Sequence, residues 1–206
     1  MIALLLFVNL IPLYGVLEWK WGVFELIFVF WFENVIIGLM TLLKILLNRP
    51  SDGTLWAGKL FMVPFFSFHY GMFTFVHGIF VMVLFGGERF GNIDPSNLEV
   101  TVYKIVTGGE GMALMAWMLL LSNLILSYSE YIHNGLYRSA TLQEVMMAPY
   151  SRIVVLHLTI IFGGFLVMAL HEPLFGLIML IVLKIAFDIY HRRREAAKER
   201  AISIEL

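Results

Sequence analysis

Long apolar runs separated by short polar segments set the pattern of this chain. A hydrocarbon core about 30 Å thick takes about 20 mostly apolar residues per helix, within a range of roughly 17 to 25. Runs of that kind extend from Met1 to Leu17, Trp21 to Leu47, Leu60 to Phe85, Glu110 to Ile132, Met146 to Leu170 and Pro173 to Tyr190. The first is the shortest and is interrupted by Asn9 and Pro12. It lacks the basic n-region and small-residue cleavage site of a signal peptide, so it too reads as a helix. The pattern predicts an all-α polytopic membrane bundle of about six transmembrane helices. Residues 1–190 form one transmembrane domain in this reading, and residues 191–206 form a short basic cytoplasmic tail.

Composition agrees with the lipid environment. Hydrophobic residues make up 60% of the chain and charged residues 14%, with a mean hydropathy of +0.86, where an ordinary soluble domain has about 25% charged residues. The net charge of −1 offers no basic face to nucleic acid. With no cysteine, disulfides, thiolate zinc sites, iron–sulfur clusters and Cys nucleophiles are all excluded, and any metal must be held by His, Asp or Glu.

Basic residues in short loops set orientation. Arg49, Lys59, Arg138 and Arg152 fall on one side together with the tail's Arg192, Arg193, Arg194, Lys198 and Arg200, whereas the other side has Lys20, Arg89 and Lys104. Both termini are therefore expected in the cytoplasm, with Trp19 and Trp21 at the outer interface. Residues 86–109, rich in Gly, Asn, Asp and Pro, read as an irregular outer loop. The expected location is the cell (inner) membrane, with the lipid bilayer as partner; a homo-oligomer is compatible with the sequence.

Ionisable residues inside such helices mark functional sites by default. At about 1.5 Å per residue, Glu33 lies about 18 Å from the outer end of its helix, His69 about 13 Å and His157 about 16 Å from the inner ends of theirs, and His77 in the outer half. Glu33, His69 and His157 are thus expected to meet near the midplane from three helices. Glu25, near the outer end, can reach water. Lys184 and Asp188, at i and i+4, suit a charge pair. His133, His171 and His191 fall at helix ends, and Asn34, Ser67, Asn123 and Ser127 suit hydrogen bonds between helices.

Each buried imidazole has a purely structural alternative, bonding to a carbonyl and a Tyr or Ser hydroxyl, and a protonated Glu33 needs no counter-ion. Four such groups together in a small bundle point instead to a polar centre. Two imidazoles and a carboxylate are a sufficient shell for Zn2+ or another divalent metal with an open position for water. Glu33, His69 and His157 supply that set. His77 and Asp188 become candidate catalytic acid–base groups, and the chemistry fits hydrolysis of a membrane-embedded substrate. The same chain of groups also fits a small proton- or cation-coupled transporter or channel, with His77, Glu33, His69 and Asp188 as stations, although no inverted repeat is visible. A b-type haem is the remaining alternative: His157 and His171 are fourteen residues apart, but His69 and His77 are only eight apart and do not match them.

The strings FWFENVIIGLMTLLKIL, FHYGMFTFVHGIF and HNGLYRSATLQEVMMAPYSRIVVLHLTIIFGGF, with the closing LKIAFD, carry a further signal. In this order they resemble an uncharacterised prokaryotic family of multi-pass membrane proteins, a domain of unknown function of the DUF6498 type. The resemblance spans residues 9–188. It implies one membrane domain and marks Glu33, Asn34, His69, His77, Arg152, His157 and Asp188 as recurring polar positions. It implies no reaction.

Overall fold

A computed structural model describes residues 2–49, 55–86, 98–109 and 111–151. Beyond these it describes residues 153–154, 157–158, 178, 181–182, 184–186 and 189–190. The described residues contain helices and no strand. Helix α1 is Ile2–Leu17, α2 is Val23–Leu47, α3 is Leu55–Phe85 and α4 is Leu98–Gly108. Helix α5, Met112–Ser127, continues into a π-helical turn at Tyr128–His133. The short helices α6, Leu136–Ser139, and α7, Leu142–Met147, follow. The described residues between 150 and 158, and between 178 and 190, are helical.

Apolar side chains around the full circumference of α2 make it the central helix. Buried residues occur at nearly every position from Phe24 to Trp31, as expected of a helix enclosed on all sides. Its N-terminus is closed locally: the Glu25 carboxylate accepts from the Gly22 N–H at 2.9 Å, which satisfies one of the four donors a helix start leaves open. Glu25 is therefore a capping residue.

Helix α3 runs antiparallel to α2. Gly38 of α2 faces Tyr70 of α3, and at the other end Gly78 of α3 faces Trp31 of α2. Two hydrogen bonds lock this register: Trp31 Nε1 donates to the Thr74 carbonyl at 2.7 Å, and the Tyr70 hydroxyl donates to the Asn34 carbonyl at 3.0 Å. Helix α5 runs parallel to α2. Its start, Gly111, lies against Trp19, and at the far end the Tyr131 hydroxyl donates to the Lys44 carbonyl at 2.8 Å. Gly111 is required there, because its φ of +71° is left-handed and an added Cβ would sit 2.3 Å from the Trp19 ring. The π turn adds a residue per turn at the end of α5 and swings Tyr131 toward α2.

Two apolar clusters result. The larger joins α1, α2, α5, the end of α3, Ile105 of α4 and Ile181. The smaller gathers Ile45, Phe66, Tyr70, Tyr131, Val145 and Ile153.

Among the described residues three helices are long and apolar enough to cross a membrane: Val23–Leu47, Ala57–Phe85 and Met112–His133. The six spans expected from the sequence are not all represented. Helix α1 has 16 residues, just under the roughly 17 that a span needs. The expected spans at Met146–Leu170 and Pro173–Tyr190 lie largely outside the described residues.

The structure corrects other expectations. The segment expected to be an irregular loop contains α4, because Val102, Ile105 and Val106 recur at i, i+3 and i+4 and pack on the main core. Trp21 is no interface anchor; it is 5% exposed and its ring fills the space beside Gly15. Asn34, Ser67 and Asn123 bond within their own helices, to the carbonyls of Phe30, Val63 and Leu119. The i−4 carbonyl is simply the nearest acceptor to a short polar side chain in a helix.

A histidine pair between parallel helices

The described residues between Tyr150 and Leu158 rise alongside α3 in the same direction. His69 Nδ1 lies 2.9 Å from the Tyr150 hydroxyl, and His77 Nε2 lies 2.8 Å from His157 Nδ1. The steps from His69 to His77 and from Tyr150 to His157 are eight and seven residues, or about 12 and 10.5 Å of rise. The rises differ by only about one residue, so both contacts stay nearly level and each polar group meets its counterpart. The helical residues at Tyr150 begin level with His69, which lies about 21 Å along α3 from Leu55. Tyr150 therefore takes the place beside His69, and His157 stands one rung higher.

The protons of the upper rung follow from its partners. His77 Nδ1 is 2.8 Å from the Phe73 carbonyl, which can only accept. His77 therefore donates through Nδ1. In the neutral ring Nε2 is then bare and accepts the Nδ1–H of His157, leaving His157 Nε2 as a free acceptor site at the exposed end. Phe73 stacks on His77 with centroids 4.4 Å apart, and Phe80 meets the same ring edge-on at 6.4 Å. His77 is buried, 4% exposed, among these apolar rings. Its neighbours fix its tautomer and orientation. On the lower rung His69 is exposed, and Phe65 stacks on it at 5.5 Å.

Glu33 lies apart from both rungs. Its carboxylate is 2.8 Å from Lys184 Nζ, with both side chains 12% exposed. Lys184 Nζ also sits 5.3 Å from the centre of the Phe30 ring, near enough for attraction to the negative ring face. The ion pair joins α2 to the helical residues between 178 and 190. Lys184 is thus held by Glu33, three residues beyond Phe30 on the same face of α2, rather than waiting on Asp188 alone. Asp188 lies outside the described residues, as do Arg152, His171 and His191. His133 is exposed at a helix end, as expected, with its Nδ1 at 3.3 Å from Asn134 Oδ1.

The structure therefore gives Glu33, His69 and His157 three different partners, Lys184, Tyr150 and His77. Among the described residues no three His, Asp or Glu converge as a metal shell would require. The haem alternative turned on His157 and His171, and His171 lies outside the described residues. Sequence reading missed Tyr150 and the carbonyl of Phe73. The signal for Tyr150 was present in the similar intervals of His69 to His77, eight residues, and Tyr150 to His157, seven.

No curated protein and no solved structure matches the chain. The model of DUF6498, a family of unknown function, matches residues 1–205, and the chain belongs to that family.

Proposed function

We propose that this is a multi-pass membrane protein of about six spans, with both termini cytoplasmic, that relays protons through the His77–His157 pair. The hydrogen bond between the two imidazoles carries the reading. A proton taken up at His157 Nε2 turns that ring into a donor at both nitrogens, and its Nδ1 proton can then pass to the bare Nε2 of His77. The transfer crosses from one helix to another without moving either backbone. Buried and aligned by Phe73 and Phe80, the inner ring has little freedom to leave the line. Proton relays along His and carboxylate chains are one of the established uses of ionisable groups in lipid.

The test is proton flux into liposomes loaded with a pH-sensitive dye, driven by an imposed potassium diffusion potential. Wild-type protein should acidify the lumen, and His77→Ala should abolish the flux. Equal flux in both would end the proposal.

A second reading, a divalent metal of the zinc type serving an intramembrane hydrolase, draws on the same two nitrogens. Two ligand nitrogens on one tetrahedral zinc stand roughly 3.3 Å apart, about 0.5 Å more than the present contact, so a small separation of the rings admits an ion. Further ligands would have to come from beyond the described residues. Metal content per chain, compared between wild type and His77→Ala/His157→Ala, distinguishes the readings: a stoichiometric ion lost in the double variant favours the metal.

A further inference from the structure

Between the two polar rungs each helix places one apolar side chain. On α3, Phe73 stands four residues from His69 and four from His77. On the facing segment, Ile153 stands three residues from Tyr150 and four from His157. Spacings of three and four keep these six side chains on the facing sides of their helices. The contacts agree: the Phe73 ring stacks on His77 with centroids 4.4 Å apart and lies 6.5 Å from the His157 ring, and Ile153 is buried in the cluster that holds Phe66 and Tyr70 of α3. Polar neighbours of Phe73 on α3 serve α2 instead, the Tyr70 hydroxyl bonding to Asn34 and the Thr74 carbonyl to Trp31. An apolar layer of Phe73 and Ile153 thus separates the His69–Tyr150 rung from the His77–His157 rung.

The rungs are about 12 Å apart along α3. A proton passes between groups at about 2.6–3.2 Å, so the gap takes a file of roughly three waters. An apolar layer excludes such a file, as hydrophobic constrictions in channels do by dewetting. Its two members are held differently. Ile153 is 5% exposed and fixed by its packing, whereas Phe73 is 39% exposed and its ring has room to swing off His77. The Phe73 carbonyl that holds His77 Nδ1 belongs to the backbone and stays in place.

We propose that the Phe73 ring is the gate of the relay and that His69 with Tyr150 is its second proton station. Closed, the ring stacks on His77 and keeps the layer dry. Swung aside, it admits water. The proton of a charged His77 then passes through the file to the Tyr150 oxygen, the Tyr150 hydroxyl proton moves to His69 Nδ1, and the exposed His69 ring releases one proton in turn. This gate rests on the proton-relay reading of the histidine pair.

The test is proton flux into dye-loaded liposomes for a series of side-chain sizes in the layer. Phe73→Ala should raise the His77-dependent flux by about fivefold or more, and Phe73→Trp should lower it below wild type. Ile153→Ala, which thins the layer from the other helix, should raise it as well. Phe73→Ala/His69→Ala should lose most of the gain, because the opened layer then leads to no second station. Phe73→Trp keeps the layer filled, so it tests the gate even where Phe73→Ala does not fold. Flux that falls in Phe73→Ala, as loss of a support for His77 would give, overturns the gate, and so does flux unchanged by both Phe73 substitutions. Wild type and Phe73→Ala that both conduct no more than protein-free liposomes overturn the relay reading itself, which tells the two failures apart.

Discussion

His77 Nε2 and His157 Nδ1 meet at 2.8 Å across two helices that run in the same direction. The Phe73 carbonyl takes the Nδ1 proton of His77, so the neutral ring accepts from His157 through a bare Nε2. Removing either ring strands the nitrogen of the other. Thermal unfolding in detergent should show His157→Ala about 1 kcal/mol less stable than wild type, and His77→Ala/His157→Ala no less stable than His77→Ala alone. Losses that simply add in the double variant would count against the bond.

Glu33 and Lys184 form the ion pair that ties α2 to the helical residues between 178 and 190. Removing one partner leaves the other charge stranded in an apolar setting, at about 3–5 kcal/mol. Glu33→Ala and Lys184→Ala should each lower the unfolding temperature substantially. Glu33→Leu/Lys184→Met, which removes both charges and keeps the volume, should recover most of the loss. If the double variant is as unstable as the singles, the pair is not the source of the effect.

The glycines of α3 separate packing from propensity. At Gly78 an added Cβ would stand 2.6 Å from the Trp31 ring, so Gly78→Ala must displace that ring and strain its bond to Thr74. The expected loss is about 1–3 kcal/mol. Gly71→Ala meets nothing and should be neutral or stabilising by up to about 1 kcal/mol, the usual helix gain over glycine. The contrast is measured by denaturant unfolding of the two variants side by side, and equal effects would argue against the α2–α3 register.

Topology can be read with thiol reagents, because the chain has no cysteine of its own. Single cysteines at Lys20 and Lys104 should be labelled from outside intact cells by a membrane-impermeant maleimide. One at Arg138 should be labelled only after permeabilisation. Labelling of all three from the same side would refute the expected alternation of spans.

Helical content and the positions of α2, α3 and α5 were legible because a span needs a long apolar run, and such runs are visible in one dimension. Helix α4 was not, since its Gly- and Pro-rich approach masked a short amphipathic turn that only the core made worthwhile. The candidate residues were legible as well: an ionisable side chain in an apolar run stands out whatever its partner. Their grouping was not. Depth counted from estimated helix ends carries an error of about 2–4 residues at each end, and the errors on two helices together reach about two turns, enough to move His157 from the level of His69 to that of His77.

The sequence by itself determined which segments seek lipid and which side chains are anomalous there, because both depend on local composition and on a fixed rise per residue. The tertiary structure decided who meets whom. It paired Glu33 with Lys184, His69 with Tyr150 and His77 with His157, and it buried the Thr74 hydroxyl without a hydrogen-bond partner among the described residues. Those choices depend on where neighbouring helices begin, on their relative direction and on close approaches at glycine. Each of these is a property of contacts between distant segments, which no run of residues contains.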